Sequence, residues 1–168
     1  MGTERERKFL VTGEDWRAEA VSAHRIRQGF LSRDLERVVR IRVVDDRAGY
    51  LTVKGARSGI SRPEYEYPIP VADAIEMLDR MCLPGRIDKV RHVCGADGYQ
   101  LTVDEFGGVH QGLLLAEVEY DEGVTDAVLP GWLGTEVTDD DRYSNAVLAA
   151  GAVPGAAGAP EPTRGSRS

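Results

Sequence analysis

The sequence has few cysteines, no surplus of positive charge and no long apolar run. The two cysteines, Cys82 and Cys94, form neither a metal-binding spacing nor a disulfide framework, which favours a reduced, cytoplasmic chain. Lys and Arg number 21 against 28 Asp and Glu, a net charge of −7, so we expect no general binding of nucleic acid. No apolar stretch approaches the roughly 20 residues that cross a bilayer, and we expect no membrane contact.

The composition is that of a single folded domain followed by a simple tail. Of the 168 residues, 42% are hydrophobic and 29% are charged, which is typical of a globular protein. The stretch from residue 151 to 168 consists mainly of Gly, Ala, Pro and Ser, and it buries too little apolar surface to offset its ordering entropy. We therefore predict a domain over residues 1–150 and a disordered tail over residues 151–168.

Short β-like runs dominate the predicted domain. The runs predict eight strands, over residues 3–11, 24–31, 37–44, 50–55, 60–69, 86–94, 99–106 and 113–120. Helical periodicity predicts three helices, over residues 14–23, 71–81 and 140–150. Turn signals such as Ala96-Asp97-Gly98 indicate hairpins between strands. This pattern favours an α+β fold in which an antiparallel sheet or barrel carries a few helices packed outside.

Charged side chains alternate with apolar ones along these strands and therefore share one face. The acids of that face are Glu4, Glu6, Glu64, Glu66, Asp104, Glu117 and Glu119. The bases of that face are Lys8, Arg40, Arg42, Lys54, Arg62, Lys89 and Arg91. Two interpretations stand side by side: the face is the solvated side of a half-buried sheet, or it lines a cavity. A cavity with both signs of charge suits a phosphate chain bound by Arg and Lys, with divalent cations bound by carboxylates. The opposite face, which includes Ile41, Val53, Tyr65, Tyr67 and Val103, is predicted to be core covered by the helices.

The order of these residues resembles the CYTH superfamily, the triphosphate tunnel metalloenzymes. Glu4-Arg5-Glu6-Arg7-Lys8 fits the ExExK signature of that family. The motifs that follow in the family's order are Gln28-Gly29-Phe30-Leu31, Arg40-Ile41-Arg42, Leu51-Thr52-Val53-Lys54-Gly55, Ser61-Arg62-Pro63-Glu64-Tyr65-Glu66-Tyr67, Lys89-Val90-Arg91, Val103-Asp104-Glu105-Phe106, Ala116-Glu117-Val118-Glu119, Glu136-Val137-Thr138 and Arg142-Tyr143-Ser144-Asn145. The resemblance covers about residues 3–150 and is strongest to the small stand-alone bacterial members.

The resemblance implies an eight-stranded antiparallel β-barrel whose tunnel binds triphosphate. It implies metal-dependent hydrolysis of inorganic tripolyphosphate to diphosphate and phosphate, by a monomer or homodimer that requires Mg²⁺ or Mn²⁺. The alternatives are a nucleoside triphosphatase or adenylate cyclase of the same superfamily, or a non-catalytic protein that binds polyphosphate or nucleotides. Phe30 and Thr102 stand where relatives often carry Tyr and a carboxylate, so the sequence departs from the family pattern at two positions.

Site roles follow from the resemblance and from the chemistry of each side chain. We predict that the substrate is bound by Lys8, Arg40, Arg42, Lys54, Arg62, Lys89 and Arg91. The predicted metal ligands are Glu4, Glu6, Glu117, Glu119 and Asp104, whose hard oxygen atoms suit Mg²⁺ or Mn²⁺. The predicted catalytic residues are Lys8, Glu64, Glu66 and Asp104. Asn145, with Arg142 and Tyr143, is expected to close one end of the tunnel.

Overall fold

The computed structural model describes residues 2–95, 98–121 and 127–151. Its strands are β1 (Gly2–Val11), β2 (Ala20–Ser32), β3 (Arg37–Val44), β4 (Ala48–Gly55), β5 (Ser61–Ile69), β6 (Ile87–Cys94), β7 (Tyr99–Phe106), β8 (Leu114–Tyr120) and β9 (Leu133–Glu136). Its helices are α1 (Trp16–Glu19), α2 (Val71–Arg80) and α3 (Asn145–Ala149), with 3-10 turns at Gly108–His110 and Asp141–Tyr143. Among the described residues, no helix is long and apolar enough to cross a membrane.

The strands form a closed antiparallel barrel. Hydrogen bonding follows the order β5-β4-β3-β2-β6-β7-β8-β1, and pairing of β1 with β5 closes the circle. Residues 2–5 of β1 pair with β5 and residues 6–10 pair with β8. Strand β9 adds to β1 at Phe9 and Val11 as a ninth strand outside the circle. The predicted eight-stranded antiparallel barrel is confirmed, and closure places alternate side chains of every strand in the lumen.

Two of the three predicted helices differ in extent from those observed. The helix predicted over residues 14–23 is wrong beyond residue 19, because residues from Ala20 onward extend β2 and pair with β6 at Cys94. That pairing overrides the helical pattern of the local sequence. The helix predicted over residues 140–150 is divided into a 3-10 turn and α3, because the Ser144 side chain caps α3 by accepting a hydrogen bond from the Val147 amide.

Several other sequence predictions are corrected or untested. Strand β9 was not predicted, since four residues give too short a pattern. The hairpin signal at Ala96-Asp97 and the predicted tail from residue 152 onward lie outside the described residues. The prediction that helices cover Val53, Tyr65 and Tyr67 is wrong, because these side chains are 38%, 42% and 51% exposed.

Two apolar clusters lie outside the barrel, and a third, which includes the cavity-lining residues Phe30 and Val38, packs against α3 at one end of the lumen. Helix α2 packs Ala74 and Leu78 against Ile41 and Val43 on the outside of β3. Trp16, from α1, belongs to a second cluster with Phe9, Leu101, Val103, Ala116, Val118 and Trp132. Helix α3 joins a third cluster through Ala146, Leu148 and Ala149, together with Phe30, Val38, Ile87, Phe106 and Leu115. This apolar shell fixes the wall, and its burial stabilises the fold by roughly 25 cal/mol per Å² of apolar surface.

Candidate active site

The lumen encloses a cavity of about 380 Å³ whose lining is dominated by charge. Seven basic side chains face it: Lys8, Arg40, Arg42, Lys54, Arg57, Arg62 and Arg91. Six acidic side chains face it: Glu4, Glu6, Glu64, Glu66, Glu117 and Glu119. All predicted site residues therefore meet at the cavity except Lys89 and Asp104, which lie behind its wall. Of the two interpretations of the charged face, the structure supports the cavity.

One side of the cavity is a tightly paired network on β6, β7 and β8, and we call it the paired wall: Lys89, Arg91, Asp104 and Glu117. Asp104 is fully buried and accepts hydrogen bonds from Arg91 Nε and Nη2, both at 2.7 Å, and from Lys89 Nζ at 2.5 Å. Arg91 also donates to Glu117, which in turn contacts Lys8 Nζ at 3.2 Å. Only Arg91 and Glu117 of the wall line the cavity; Asp104 holds Arg91 in place, and Lys89 in turn binds Asp104.

Charge pairing sets the protonation states within the paired wall. Burial alone raises the pKa of Asp104, but attraction to Arg91 and Lys89 outweighs it and lowers that pKa. Burial lowers the pKa of Lys89 to about 8, although Asp104 opposes that shift. For Lys8 burial also acts to lower the pKa, but Glu117 and Glu6 outweigh it and raise it. Lys8 therefore stays protonated in the cavity at neutral pH.

The paired wall also anchors the end of the tunnel. Asn145 Oδ1, at the start of α3, accepts from Lys89 Nζ at 3.1 Å and from Gln28 Nε2 at 3.0 Å. Ser144, Asn145 and Ala146 line the cavity. The expectation that Asn145 lies at the tunnel end agrees with this position, whereas Arg142 turns away and binds Asp140.

The opposite side, on β3, β4 and β5, is looser, and we call it the open wall: Arg40, Lys54, Glu64 and Glu66. Lys54 Nζ lies 3.0 Å from Glu64 and 2.8 Å from Glu4 of β1. Arg40 Nη2 lies 3.2 Å from Glu66 and 3.8 Å from Glu64, and it also donates to Thr52 Oγ1. The Glu66 side chain is 35% exposed, so solvent reaches this side.

Three guanidinium groups of the lining have no carboxylate partner among the described residues. The Arg42 side chain forms no hydrogen bond with that part of the chain, and its buried Nε atom lacks an acceptor. Burial lowers its pKa to about 9, and repulsion from Arg40 and Arg91 adds to the shift. Arg62 donates only to the carbonyls of Gly55 and Leu35, and Arg57 donates to the carbonyl of Thr138. Uncompensated cations of this kind indicate a site for an anion.

Carboxylates crowd the part of the cavity around β1 and β8. Burial raises the pKa of Glu119 to about 7, and repulsion from Glu4, Glu6 and Glu64 contributes. The Glu119 side chain has no hydrogen-bond partner within the described segments. No group of three Asp, Glu, His or Cys side chains in these segments is already arranged to hold a metal ion. Glu4 instead binds Lys54, and Glu6 faces Lys8 at 3.6 Å. Crowded carboxylate oxygens nevertheless fit a hard divalent cation, which would relieve their repulsion.

Sequence reasoning missed two polar lining residues. Arg57 lies in the connection between β4 and β5, where strand alternation gives no information. Gln100 lies on β7 two residues before Thr102, directly across from Glu119, so extending the alternation by one step would have found it. At the two departures from the family pattern, Phe30 and Thr102 both line the cavity, and Thr102 stands opposite Glu117.

Comparison with known proteins gives consistent results. The model of the CYTH domain family matches residues 2–144. An inorganic triphosphatase of Acetivibrio thermocellus is 44% identical over 148 residues, which cover 88% of this chain and 94% of that protein. An inorganic triphosphatase of Nitrosomonas europaea is 36% identical over 151 residues, which cover 88% and 97%. A crystal structure of an inorganic triphosphatase has a TM-score of 0.58 at 35% identity, covering 89% of this chain and 95% of that one.

Proposed function

The chain belongs to the CYTH domain family, and we propose that it is a metal-dependent inorganic triphosphatase that hydrolyses tripolyphosphate to diphosphate and phosphate. The observation that carries the proposal is a cavity within the barrel lined by seven cations, three of which lack a carboxylate partner among the described residues. The two curated relatives named inorganic triphosphatase, each matched over most of its length, support the choice of substrate.

The charge balance of the cavity explains why such an enzyme needs a divalent cation. Seven Lys and Arg side chains against six Glu leave the lining close to neutral. Tripolyphosphate is a pentaanion when fully ionised, so the lining alone neutralises only a small part of its charge. Divalent cations, if bound with the substrate, would supply the remaining positive charge, and neutralisation of the phosphoryl oxygens is the main requirement of phosphoryl transfer.

In the reaction, water forms a bond to a terminal phosphorus atom while the bond from that phosphorus to its bridging oxygen breaks. The products are diphosphate and phosphate, and one proton is released. Catalysis requires that the phosphoryl oxygens be held and their charge neutralised. Arg91, fixed by the two hydrogen bonds that it donates to Asp104, presents a rigid fork for this purpose, and Lys8 adds a point charge beside it.

The looser cations complete the binding site. Arg40 and Lys54 are paired with Glu66, Glu64 and Glu4, and these contacts can be exchanged for contacts with phosphate. Arg42 and Arg62 need no such exchange, since neither has a carboxylate partner in the described chain. Lys89 does not contact the substrate, because its side chain is only 1% exposed and lies outside the lining. It binds Asp104, and through Asp104 it helps to position Arg91.

Glu4, Glu6 and Glu119 are the residues that would hold the divalent cation, with Glu117 beside them. A bound Mg²⁺ or Mn²⁺ would neutralise charge on the phosphoryl oxygens. Glu64 and Glu66 remain our candidates for orienting the attacking water. The contacts of Asp104 support a role in positioning Arg91 rather than in binding a metal ion. Both carboxylate oxygens of Asp104 already accept hydrogen bonds from Arg91 or Lys89.

The test is phosphate release from tripolyphosphate and ATP with Mg²⁺, with Mn²⁺ and with EDTA. We expect metal-dependent release that is faster from tripolyphosphate than from ATP and absent in EDTA. Glu6→Ala removes a carboxylate of the cation site and is expected to lower kcat at least about a hundredfold. The matched control is Glu76→Ala on α2, whose side chain pairs only with Arg80 on the surface and whose replacement leaves the rate unchanged.

Three results would contradict the proposal. Full activity of Glu6→Ala would remove the assigned cation site. Preference for ATP would favour a nucleoside triphosphatase. Binding of tripolyphosphate in EDTA without release of phosphate under any metal condition would indicate a non-catalytic polyphosphate-binding protein.

A further inference from the structure

Arg57 is a cation of the tunnel that the strand pattern did not reveal. It lies in the connection between β4 and β5, and its side chain is exposed to solvent while it also lines the cavity. Leu35 and Arg62 line the cavity at the same rim, where Arg62 Nη2 donates to the Leu35 carbonyl. Arg57 therefore stands where the lumen meets solvent.

The contacts of Arg57 orient its guanidinium without neutralising it. Its Nη1 donates to the Thr138 carbonyl at 3.1 Å, and no carboxylate pairs with it among residues 2–95, 98–121 and 127–151. Two other cations of the lining, Lys8 and Arg62, feel its repulsion, which acts to lower the pKa of each. Three cations gathered at one rim repel one another unless an anion lies between them.

The segment that holds Arg57 also holds Lys8. Thr138 Oγ1 accepts a hydrogen bond from the Lys8 amide at 3.0 Å, and the Val137 amide donates to the Lys8 carbonyl at 2.8 Å. The Thr138 carbonyl accepts the hydrogen bond from Arg57 Nη1. The positions of these two cations are thus set by the same three residues, 136–138, which Arg7 fixes from outside through Glu136.

We propose that Arg57 is a further triphosphate-binding residue, which contacts a phosphoryl group at the rim beside Lys8. The inference rests on the proposed function and adds a residue to its binding site. A guanidinium has five N–H donors, so Nη1 can stay on the Thr138 carbonyl while Nε and Nη2 form a two-point contact with a phosphoryl group. The bond to Thr138 keeps the fork aimed at the lumen and reduces the entropy lost on binding.

The experiment measures binding of tripolyphosphate by calorimetry in EDTA, where no turnover is expected, and then KM and kcat with Mg²⁺. Arg57→Ala is expected to weaken binding about tenfold, since one charge-assisted contact at an exposed rim is worth about 1.4 kcal/mol. KM should rise by a similar factor while kcat changes less than about threefold. Arg57→Lys retains the charge but not the fork, and we expect a loss of about threefold.

Arg37→Ala is the matched control. Arg37 stands directly across from Gly55 at the same rim, but its guanidinium binds Asp34 and does not line the cavity. Its replacement should leave binding within about twofold of the wild type. The inference would be overturned if Arg57→Ala bound tripolyphosphate as tightly as the wild type. It would also be overturned if Arg37→Ala lost as much affinity as Arg57→Ala, because the effect would then reflect general surface charge.

The two proposals fail separately. If the wild type binds tripolyphosphate but releases no phosphate, the proposed function fails while calorimetry of Arg57→Ala still decides the role of Arg57. If the wild type hydrolyses tripolyphosphate and Arg57→Ala binds it equally well, only the role of Arg57 fails. If the wild type neither binds tripolyphosphate in EDTA nor releases phosphate with Mg²⁺ or Mn²⁺, both proposals are overturned.

Discussion

The two walls of the tunnel carry similar charges and hold them in different ways. In the paired wall, Asp104 is completely buried and accepts from Lys89 and Arg91 in a network that reaches α3 through Asn145. In the open wall, Arg40 and Lys54 share carboxylates that solvent also reaches, and Glu66 is 35% exposed. One wall is built into the fold, whereas the other can rearrange around a ligand.

The difference has a physical origin in desolvation. A buried charge is tolerated only with good partners, so the paired wall is fully satisfied and its members depend on one another. In the open wall Arg40 and Lys54 are also largely buried, but Glu66 is 35% exposed, so its pair with Arg40 contributes less to stability and Glu66 is free to give way to phosphate. A site for a flexible polyanion needs both properties: a fixed guanidinium that orients one phosphoryl group, and cations whose side chains can adjust to the other phosphoryl groups.

The largest expected effect comes from breaking the paired wall. Asp104→Asn keeps the shape of the side chain but leaves Lys89 and Arg91 without their shared negative charge. We expect the free energy of unfolding to fall by about 3 kcal/mol, because removal of one partner strands a buried charge. Urea unfolding followed by circular dichroism measures this loss.

A double variant tests whether the stability lost in Asp104→Asn comes from a buried cation left without its partner. If the cost is that of a stranded cation, Lys89→Met in the Asp104→Asn background should recover part of the lost stability. Stability of Asp104→Asn within about 0.5 kcal/mol of wild type would show that the network contributes nothing, against the role that its hydrogen bonds indicate.

The next largest expected effect is an increase in the free energy of unfolding. Arg42 is a desolvated cation with no hydrogen-bond partner in the described chain, so Arg42→Met should stabilise the fold by about 1 kcal/mol. The same change should weaken tripolyphosphate binding at least about tenfold. Arg40→Met is the matched control, since it removes the hydrogen bonds that Arg40 donates to Glu66 and Thr52 and should therefore destabilise the protein. Destabilisation by Arg42→Met would mean that its charge is already compensated.

Alternation along the strands was sufficient to predict most of the tunnel. Glu4, Glu6 and Lys8 point inward because their spacing of two residues places them on one face of β1, and the barrel closes that face into a lumen. Sequence alone left open whether the face was solvated, because closure depends on the pairing of β1 with β5, which are far apart in the chain. The resemblance to a family supplied that missing long-range information.

The misses share a cause: each depends on contacts between distant segments. The short pattern at residues 14–23 is helical, yet Ala20 and Ala23 pair with β6 because a barrel strand gains more from its neighbour than from a local turn. Lys89 and Asp104 obey the inward alternation, but both are buried: Lys89 donates to Asn145 of α3, and Asp104 accepts from Lys89. Arg57 belongs to a connection, and only the Thr138 carbonyl orients it.

The smallest expected effect is the counterpart of Asp104→Asn in the open wall. Glu66 accepts from Thr52 Oγ1 at 2.7 Å and from Arg40 Nη2 at 3.2 Å, and its carboxylate also faces water. Glu66→Gln retains an acceptor oxygen for one of these donors, and solvent screens the lost charge. Urea unfolding should therefore show a loss of about 0.5 kcal/mol. A loss as large as that of Asp104→Asn would mean that the open wall is as much a part of the fold as the paired wall, and that its carboxylates are not free to exchange with phosphate.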